Sequence, residues 1–322
     1  MIKSALRKPR MKLTNILVAA MGALLLASCS KKEGSSDGRP LVVATTTMVA
    51  DPAKAIGGDR VKVEGLMGPG IDPHNYVPKL ADTNLLEKAD VVLYSGLHLE
   101  GRFQSSLEAM TRRGRNVVAV TDGIAPENLL SPQEGFEGTK DPHAWGDPLL
   151  WSETIDPAVE ALSKADPEGA AGYKEGGEAY RKELEALTLW ATEKLAILPA
   201  EKRVLVTSHD AFFYLGRAFG FDVRGLQGVS TTAEAGLKDR SDLVEYLRKQ
   251  GVKTVYSETS LNAKGISAVA AEAGVKVSDE PLFSDALGTP GDRVTVDGET
   301  YDKGTYIGML KHNVNAIVKG LK

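Results

Sequence analysis

The sequence predicts an α/β protein of two doubly wound, parallel-sheet lobes joined by one long α-helix. Three observations carry this expectation. From residue 41 onward short apolar runs alternate with helical patterns, the rhythm of a parallel sheet covered by helices on both faces. One long helical stretch follows. The strand–helix rhythm then returns.

In the first lobe Leu41–Thr45, Val61–Leu66, Asp90–Ser95 and Asn116–Val120 read as strands, with helical stretches at Lys79–Ala89 and Phe103–Arg112 between them. From Tyr173 to Leu198 the apolar positions Tyr173, Tyr180, Leu184, Leu187, Ala191, Leu195 and Leu198 define one helix face, and Pro199 ends it. Gly176 and Gly177 weaken its start. About 26 residues at roughly 1.5 Å each reach roughly 39 Å, enough for a strut across both lobes. A surface helix within a single domain is the plainer alternative. Beyond it Arg203–Thr207 and Lys253–Ser257 read as strands, each followed by a helical stretch, Ala211–Phe219 and Ala263–Ala273. The expected division is residues 41–168, a linking helix over 169–198, and residues 199–322.

Composition narrows the function. The chain has 322 residues, 42% hydrophobic and 25% charged, which is ordinary for a globular protein and excludes a disordered or fibrous one. One cysteine excludes a disulfide framework and a four-cysteine zinc site. Lys3, Arg7, Lys8, Arg10 and Lys12 precede any acidic residue; without them 34 basic side chains face 43 acidic ones. A body that acidic lacks the basic face needed for nucleic acid.

The basic start leads into a short apolar run, Ile16–Ala27. Twelve residues make roughly 18 Å of helix against a bilayer core of roughly 30 Å, so the run reads as an export signal over residues 1–28 rather than a span. Leu26-Ala27-Ser28-Cys29 resembles a bacterial lipobox, with Cys29 as the lipidated residue. The small polar residues up to Pro40 read as a flexible tether over 29–40. The expected location is extracytoplasmic, held to a bacterial membrane by lipid alone, which argues against cytosolic ATP chemistry.

The chain has only five histidines. Three lie beyond strand-like runs: His74 in Asp72-Pro73-His74, His143 in Asp141-Pro142-His143, and His209 in Thr207-Ser208-His209. In open α/β sheets ligands gather beyond the carboxyl ends of strands. Proline restricts the turn and so holds the imidazole at a defined angle, and a neighbouring carboxylate or carbonyl could fix the tautomer. A fourth donor is expected from the second lobe. Asp285 sits in an apolar loop, Leu282–Gly288, where loop capping and coordination are both open readings. These four candidates lie 69, 66 and 76 residues apart, two in each lobe, so a cation held by them would sit in the interlobe cleft. Glu258, at a strand end, is a candidate to lie beside the metal or to help close the lobes. His98 reads as structural, His312 as structural or exposed, and Arg102, Phe103 and Trp145 as packing around the site or meeting a partner.

At this point the chain resembles the cluster A-I zinc- and manganese-binding lipoproteins of ABC importers. The resemblance rests on Asp72–Pro78, Gly96–Glu100, Asp141–Trp145, Ser208–Phe212, Leu226–Thr231, Leu282–Gly288, Gly304–Met309 and His312-Asn313, in order over residues 41–322. It implies two α/β lobes bridged by a long helix, with one metal between them held by His74, His143, His209 and Asp285. A membrane permease and a cytoplasmic ATPase are the implied partners, and the chain is expected to act as a monomer.

The implied cargo is Zn2+ first and Mn2+ second. Three imidazoles and one carboxylate suit zinc, whereas manganese prefers more oxygen. Within the family a third His, here His209, marks zinc, but residues 124–140 lack the His-rich loop of many zinc members. With Asp285 binding through both oxygens, manganese would also fit. Four protein donors leave no vacancy for a substrate, so a high-affinity carrier is expected rather than an enzyme. A zinc-dependent hydrolase on the same residues, a surface adhesin retaining the fold, and a carrier of a larger chelate are the rival readings.

Overall fold

A computed structural model describes residues 38–131 and 139–322. The expected signal segment, Cys29 and nearly all of the tether lie outside the described residues.

The N-terminal lobe is a four-stranded parallel sheet. Its elements are β1 (Leu41–Ala44), α1 (Thr47–Gly57), β2 (Lys62–Gly65), α2 (Leu80–Lys88), β3 (Val91–Tyr94), α3 (Gln104–Arg112) and β4 (Val117–Ala119). The strand order is β2-β1-β3-β4, with Val42 opposite Val63 on one side and Val91 on the other. Both faces of the sheet are buried. Val42, Ala44, Val91 and Leu93 point into one apolar cluster with Met48, Val49 and Ile56 of α1. Leu41, Val43, Val92 and Tyr94 point into another with Leu86 of α2 and with Leu107 and Met110 of α3. This is the doubly wound arrangement expected of continuous apolar strands.

The chain then forms α4 (Pro148–Trp151), α5 (Ile155–Ala165) and the long α6 (Ala170–Leu195, 26 residues). The buried face of α6 is Tyr173, Gly177, Tyr180, Leu184, Leu187, Ala191 and Leu195. That is the face read from the periodicity, apart from Leu198, and the helix begins one residue later and ends three earlier than the expected 169–198. Its two glycines have a positive role. A Cβ on Gly176 would meet the Ile56 carbonyl oxygen at 2.5 Å, and one on Gly177 would meet Ile155 and Val159 at 2.9 Å. Their cost in helix propensity is offset by close packing against α1 and α5.

The C-terminal lobe contains β5 (Val204–His209), α7 (Phe213–Phe219), β6 (Asp222–Gln227), α8 (Leu237–Gln250), β7 (Thr254–Val255), α9 (Lys264–Ala273) and β8 (Lys276–Val277). β5 pairs with β6 and β7 with β8, both parallel, and the Tyr256 N–H donates to the Val206 carbonyl at 2.8 Å to set the pairs side by side. Val206 packs on α8 and α9. Leu205 faces the larger cluster, which runs from β1 across α6 into this lobe. The strut therefore shares a core with both lobes.

An antiparallel hairpin, β9 (Arg293–Val296) and β10 (Glu299–Asp302), departs from the all-parallel expectation. Asp297 and Gly298 both have positive φ, 51° and 82°, as a two-residue hairpin turn demands. The chain ends in α10 (Tyr306–Leu321), whose N-cap Thr305 accepts from the Gly308 N–H at 3.0 Å.

Candidate metal centre

Local structure delivers each donor separately. His209 is the last residue of β5, and Gly225 on β6 lets the chain turn there: a Cβ at Gly225 would lie 2.4 Å from the His209 carbonyl carbon. His74 and His143 lie instead on loops, the latter well beyond β4 and just before α4. His74 thus follows β2 across a loop, as expected, whereas His209 is still part of its strand. Asp285 follows an isolated parallel bridge between Glu258 and Leu282.

These four residues meet. One donor atom from each of His74, His143, His209 and Asp285 lies within 4.8 Å of the others, and all four side chains are buried. His74 Nε2 and His143 Nε2 are 3.3 Å apart. Asp285 turns one oxygen to each of two rings, Oδ1 to His143 Nε2 at 3.5 Å and Oδ2 to His209 Nε2 at 3.3 Å. Buried polar atoms normally have hydrogen-bond partners. Here His209 Nε2 and Asp285 Oδ1 are buried without one. Three ring nitrogens and a carboxylate converging on one point form a donor set for a divalent cation.

The rings are oriented from behind. His209 Nδ1 lies 2.5 Å from Glu258 Oε2, while the His209 backbone N–H donates to Glu258 Oε1 at 2.9 Å. His143 Nδ1 lies 2.7 Å from Asp141 Oδ1, which also accepts the His143 backbone N–H at 2.9 Å. Both Nδ1 atoms are thereby committed to carboxylates, and both Nε2 atoms face the centre. Glu258 lies behind the His209 ring. The Asp-Pro-His turn does not by itself single out Asp141, whose contact with the ring is the carboxylate partner expected behind an imidazole that faces a metal position. The two Asp-Pro-His turns differ: Asp72 Oδ1 accepts only the backbone N–H of His74, at 2.9 Å.

Charge is shared unevenly. Burial brings the His74 imidazole down to about 4. Burial opposes charge on His143 too, but Asp141 and then Asp285 outweigh it and raise the ring to about 9. His209 is likewise opposed by burial and carried well above the usual imidazole value by Glu258 and Asp285. Burial would raise Asp285, yet His209 and His143 hold it well below the usual carboxylate range. The metal-free centre thus keeps protons on two of its three rings near neutral pH.

Trp145 closes one side of the centre. Its ring meets His143 edge-on at 5.3 Å, and its Nε1–H donates to the Ser284 carbonyl at 2.8 Å, tying the His143 loop to the Asp285 loop. His98 is exposed at a turn with positive φ and takes no part. His312 is buried and its Nε2 lies 3.0 Å from the Pro281 carbonyl oxygen, so it supports the Asp285 loop from α10. Phe103 packs on the far face of the N-terminal sheet.

A family model described as "Zinc-uptake complex component A periplasmic" matches residues 42–320. The chain belongs to this family. It is 42% identical over 292 residues to the manganese-binding lipoprotein MntA of Bacillus subtilis, covering 89% of this chain and 92% of that protein. It is 39% identical over 310 residues to the zinc-binding protein TroA of Treponema pallidum, covering 94% and 96%. Among solved structures, the periplasmic zinc-binding protein TroA superposes with a TM-score of 0.81 over 88% of this chain and 99% of that one. The two-lobe fold with its bridging helix is thus the fold of this family.

Proposed function

We propose that this chain is an extracytoplasmic carrier that captures one divalent metal ion, zinc in preference to manganese, and hands it to an ABC permease driven by a cytoplasmic ATPase. His74, His143, His209 and Asp285 ligate the ion, and Glu258 and Asp141 hold two of the rings. The convergence of four buried donors from two lobes carries this reading. A site closed by protein donors stores an ion, whereas a catalytic one keeps a vacancy. The family of solute-binding components supports a carrier over the hydrolase and adhesin readings. Relatives named for manganese and for zinc fit a centre whose carboxylate can offer one oxygen or two. The lobes are divided at 41–168 and 199–322 by the helix over 169–198. Cys29 carries the lipid that holds a monomer at the membrane. Among the described residues no helix is long and apolar enough to cross a bilayer.

Elemental analysis of protein purified without added metal, followed by zinc–manganese competition, tests the reading. One ion per chain, with zinc displacing manganese, is the expected result. Unchanged stoichiometry and affinity in His143→Ala would overturn it.

A further inference from the structure

The His74 turn is tied to the opposite lobe through a single residue. Thr231 lies in the loop between β6 and α8, on the C-terminal side of the cleft. Its hydroxyl donates to Asp72 Oδ2 at 2.6 Å and accepts from Asn75 Nδ2 at 3.0 Å. Asn75 Nδ2 also reaches the Thr231 carbonyl at 3.2 Å and Asp72 Oδ2 at 2.9 Å. The other oxygen of Asp72 holds the His74 backbone N–H. One carboxylate therefore connects a proposed ligand to the far lobe in two steps.

Two other lobe-to-lobe bonds are placed differently, whereas Trp145 to Ser284 also joins two loops. Thr47 accepts from the Leu287 N–H at 2.8 Å, and Asp51 accepts from the Tyr306 N–H at 2.9 Å. Both acceptors lie on α1, which packs on the strut α6, as does α10. These bonds hold the lobes where a core already joins them. The Thr231 contact joins two loops instead. Behind the Thr231 loop lies a cavity of about 640 Å³, lined in part by Val229, Ala233, Leu243 and Tyr246. The other bonds of the loop are to near neighbours, such as Gln227 Nε2 on β6 to the Ala233 carbonyl at 3.2 Å, Ser230 to Thr232 at 3.0 Å, and the Asp210 N–H to the Gly228 carbonyl at 3.5 Å. A loop with open space behind it is free to swing once its outward contact is lost.

We propose that Thr231, through Asp72 and Asn75, is the latch that closes the cleft over the bound metal and sets its rate of release. This rests on the carrier reading above. Thr231 touches no donor atom; it positions the His74 turn. A contact of the closed cleft must break before the ion leaves, so its loss acts on dissociation rather than on association. A hydrogen bond to a charged group is lost, and the expected effect is a rise in the metal dissociation rate of about tenfold or more.

The experiment loads the full chain with zinc, and separately with manganese, and measures release into excess chelator by stopped flow. Thr231→Val keeps the shape and removes the hydroxyl. It is expected to release metal about tenfold faster or more, with the association rate within about twofold of wild type and one ion still bound per chain. Thr231→Ser restores the hydroxyl and is expected to restore the slow rate. Asn75→Ala is expected to speed release as well, and the double variant to add little beyond either alone. Release from Thr231→Val within twofold of wild type, equal loss in the Ser variant, or a fall in association alone would each overturn the latch and leave the carrier standing. A wild-type chain that binds neither ion would overturn the carrier reading itself.

Discussion

Glu258→Gln isolates the orientation of one ring without changing the size of any side chain. Glu258 accepts two hydrogen bonds from the same residue, one per oxygen: the His209 backbone N–H at Oε1 and the ring Nδ1 at Oε2. A glutamine has one acceptor oxygen and one NH2. With the oxygen toward the backbone N–H, the NH2 meets Nδ1 and forces the proton onto Nε2, the nitrogen that faces Asp285 and the proposed metal position. With the oxygen toward the ring, the NH2 confronts a backbone N–H and one donor is left without a partner in the core. Either outcome penalises the ligating tautomer. Loss of such a supporting contact costs about 10–100-fold in metal affinity, or about 1.4–2.7 kcal/mol. Asp141→Asn is the matched control. There a single oxygen, Oδ1, accepts both the ring and the backbone N–H of His143, while Oδ2 is buried without a partner. An asparagine can keep Oδ1 in place and put its NH2 where Oδ2 was. Its cost falls on folding, and only the missing charge falls on the metal. Competition against a fluorescent chelator at pH 7.5 measures both variants, and thermal melts of the metal-free forms confirm that each is folded. Affinity of Glu258→Gln within about twofold of wild type, or a larger loss in Asp141→Asn, would refute the tautomer argument.

Three further outcomes are expected. His143 near 9 and His209 raised mean that metal must displace protons, whereas His74 near 4 is already neutral. Affinity is therefore expected to rise steeply with pH between 6 and 9, and calorimetry in buffers of different ionisation enthalpy to report release of more than one proton per ion at pH 7; a count near zero would contradict it. The sign for stability is opposite in the metal-free chain. A ring whose pKa is raised on folding stabilises fully below its unfolded value of roughly 6.5, and that gain is lost as pH climbs through about 9, so the metal-free melting temperature should fall over this range while the shift produced by metal widens. On α6, Gly172→Ala meets no atom within 4 Å and Gly176→Ala meets the Ile56 carbonyl at 2.5 Å. The first should stabilise by up to about 1 kcal/mol and the second should destabilise, as read by denaturant melts; equal effects would count against the close packing of α1 on the strut.

Strands buried on both faces were legible as unbroken apolar runs, such as Leu41–Ala44 and Val91–Tyr94, whereas β6 was not, since Asp222, Arg224 and Gln227 break its apolar pattern. The strut was legible because one face repeats over seven turns. Helix α1 was not, since Pro52 stands in its interior and its support is tertiary, through Met48, Val49 and Ile56. The hairpin β9–β10 carried a signal that went unused, the dipeptide Asp297-Gly298 between alternating residues. The four candidate donors were legible because histidine is scarce and two of them repeat one tripeptide. The identical tripeptides do not reveal that Asp141 grips its ring while Asp72 turns to Thr231, because that difference depends on which lobe faces each turn. Contacts across the cleft, such as Trp145 to Ser284 over 139 residues, have no local pattern to read.

Burying so many ionisable groups would ordinarily be costly, because a charge taken out of water must be matched. The centre meets this demand in both of its states. Without metal, protons on His143 and His209 face the Asp141, Asp285 and Glu258 carboxylates. With metal at the proposed site, neutral rings would turn their Nε2 atoms to a doubly charged ion. Exchanging two protons for one divalent cation leaves the buried charge unchanged. The core need not reorganise to tolerate either state, and the strut can stay packed between the lobes throughout. What differs is only the point at which the positive charge sits, at two Nδ1–carboxylate and Nε2–carboxylate contacts or at their common focus. Such an exchange makes proton concentration a direct competitor of the cargo. A monovalent ion could not replace both protons without adding one more negative charge to the core, so discrimination against abundant monovalent cations follows from charge balance before any question of coordination geometry arises.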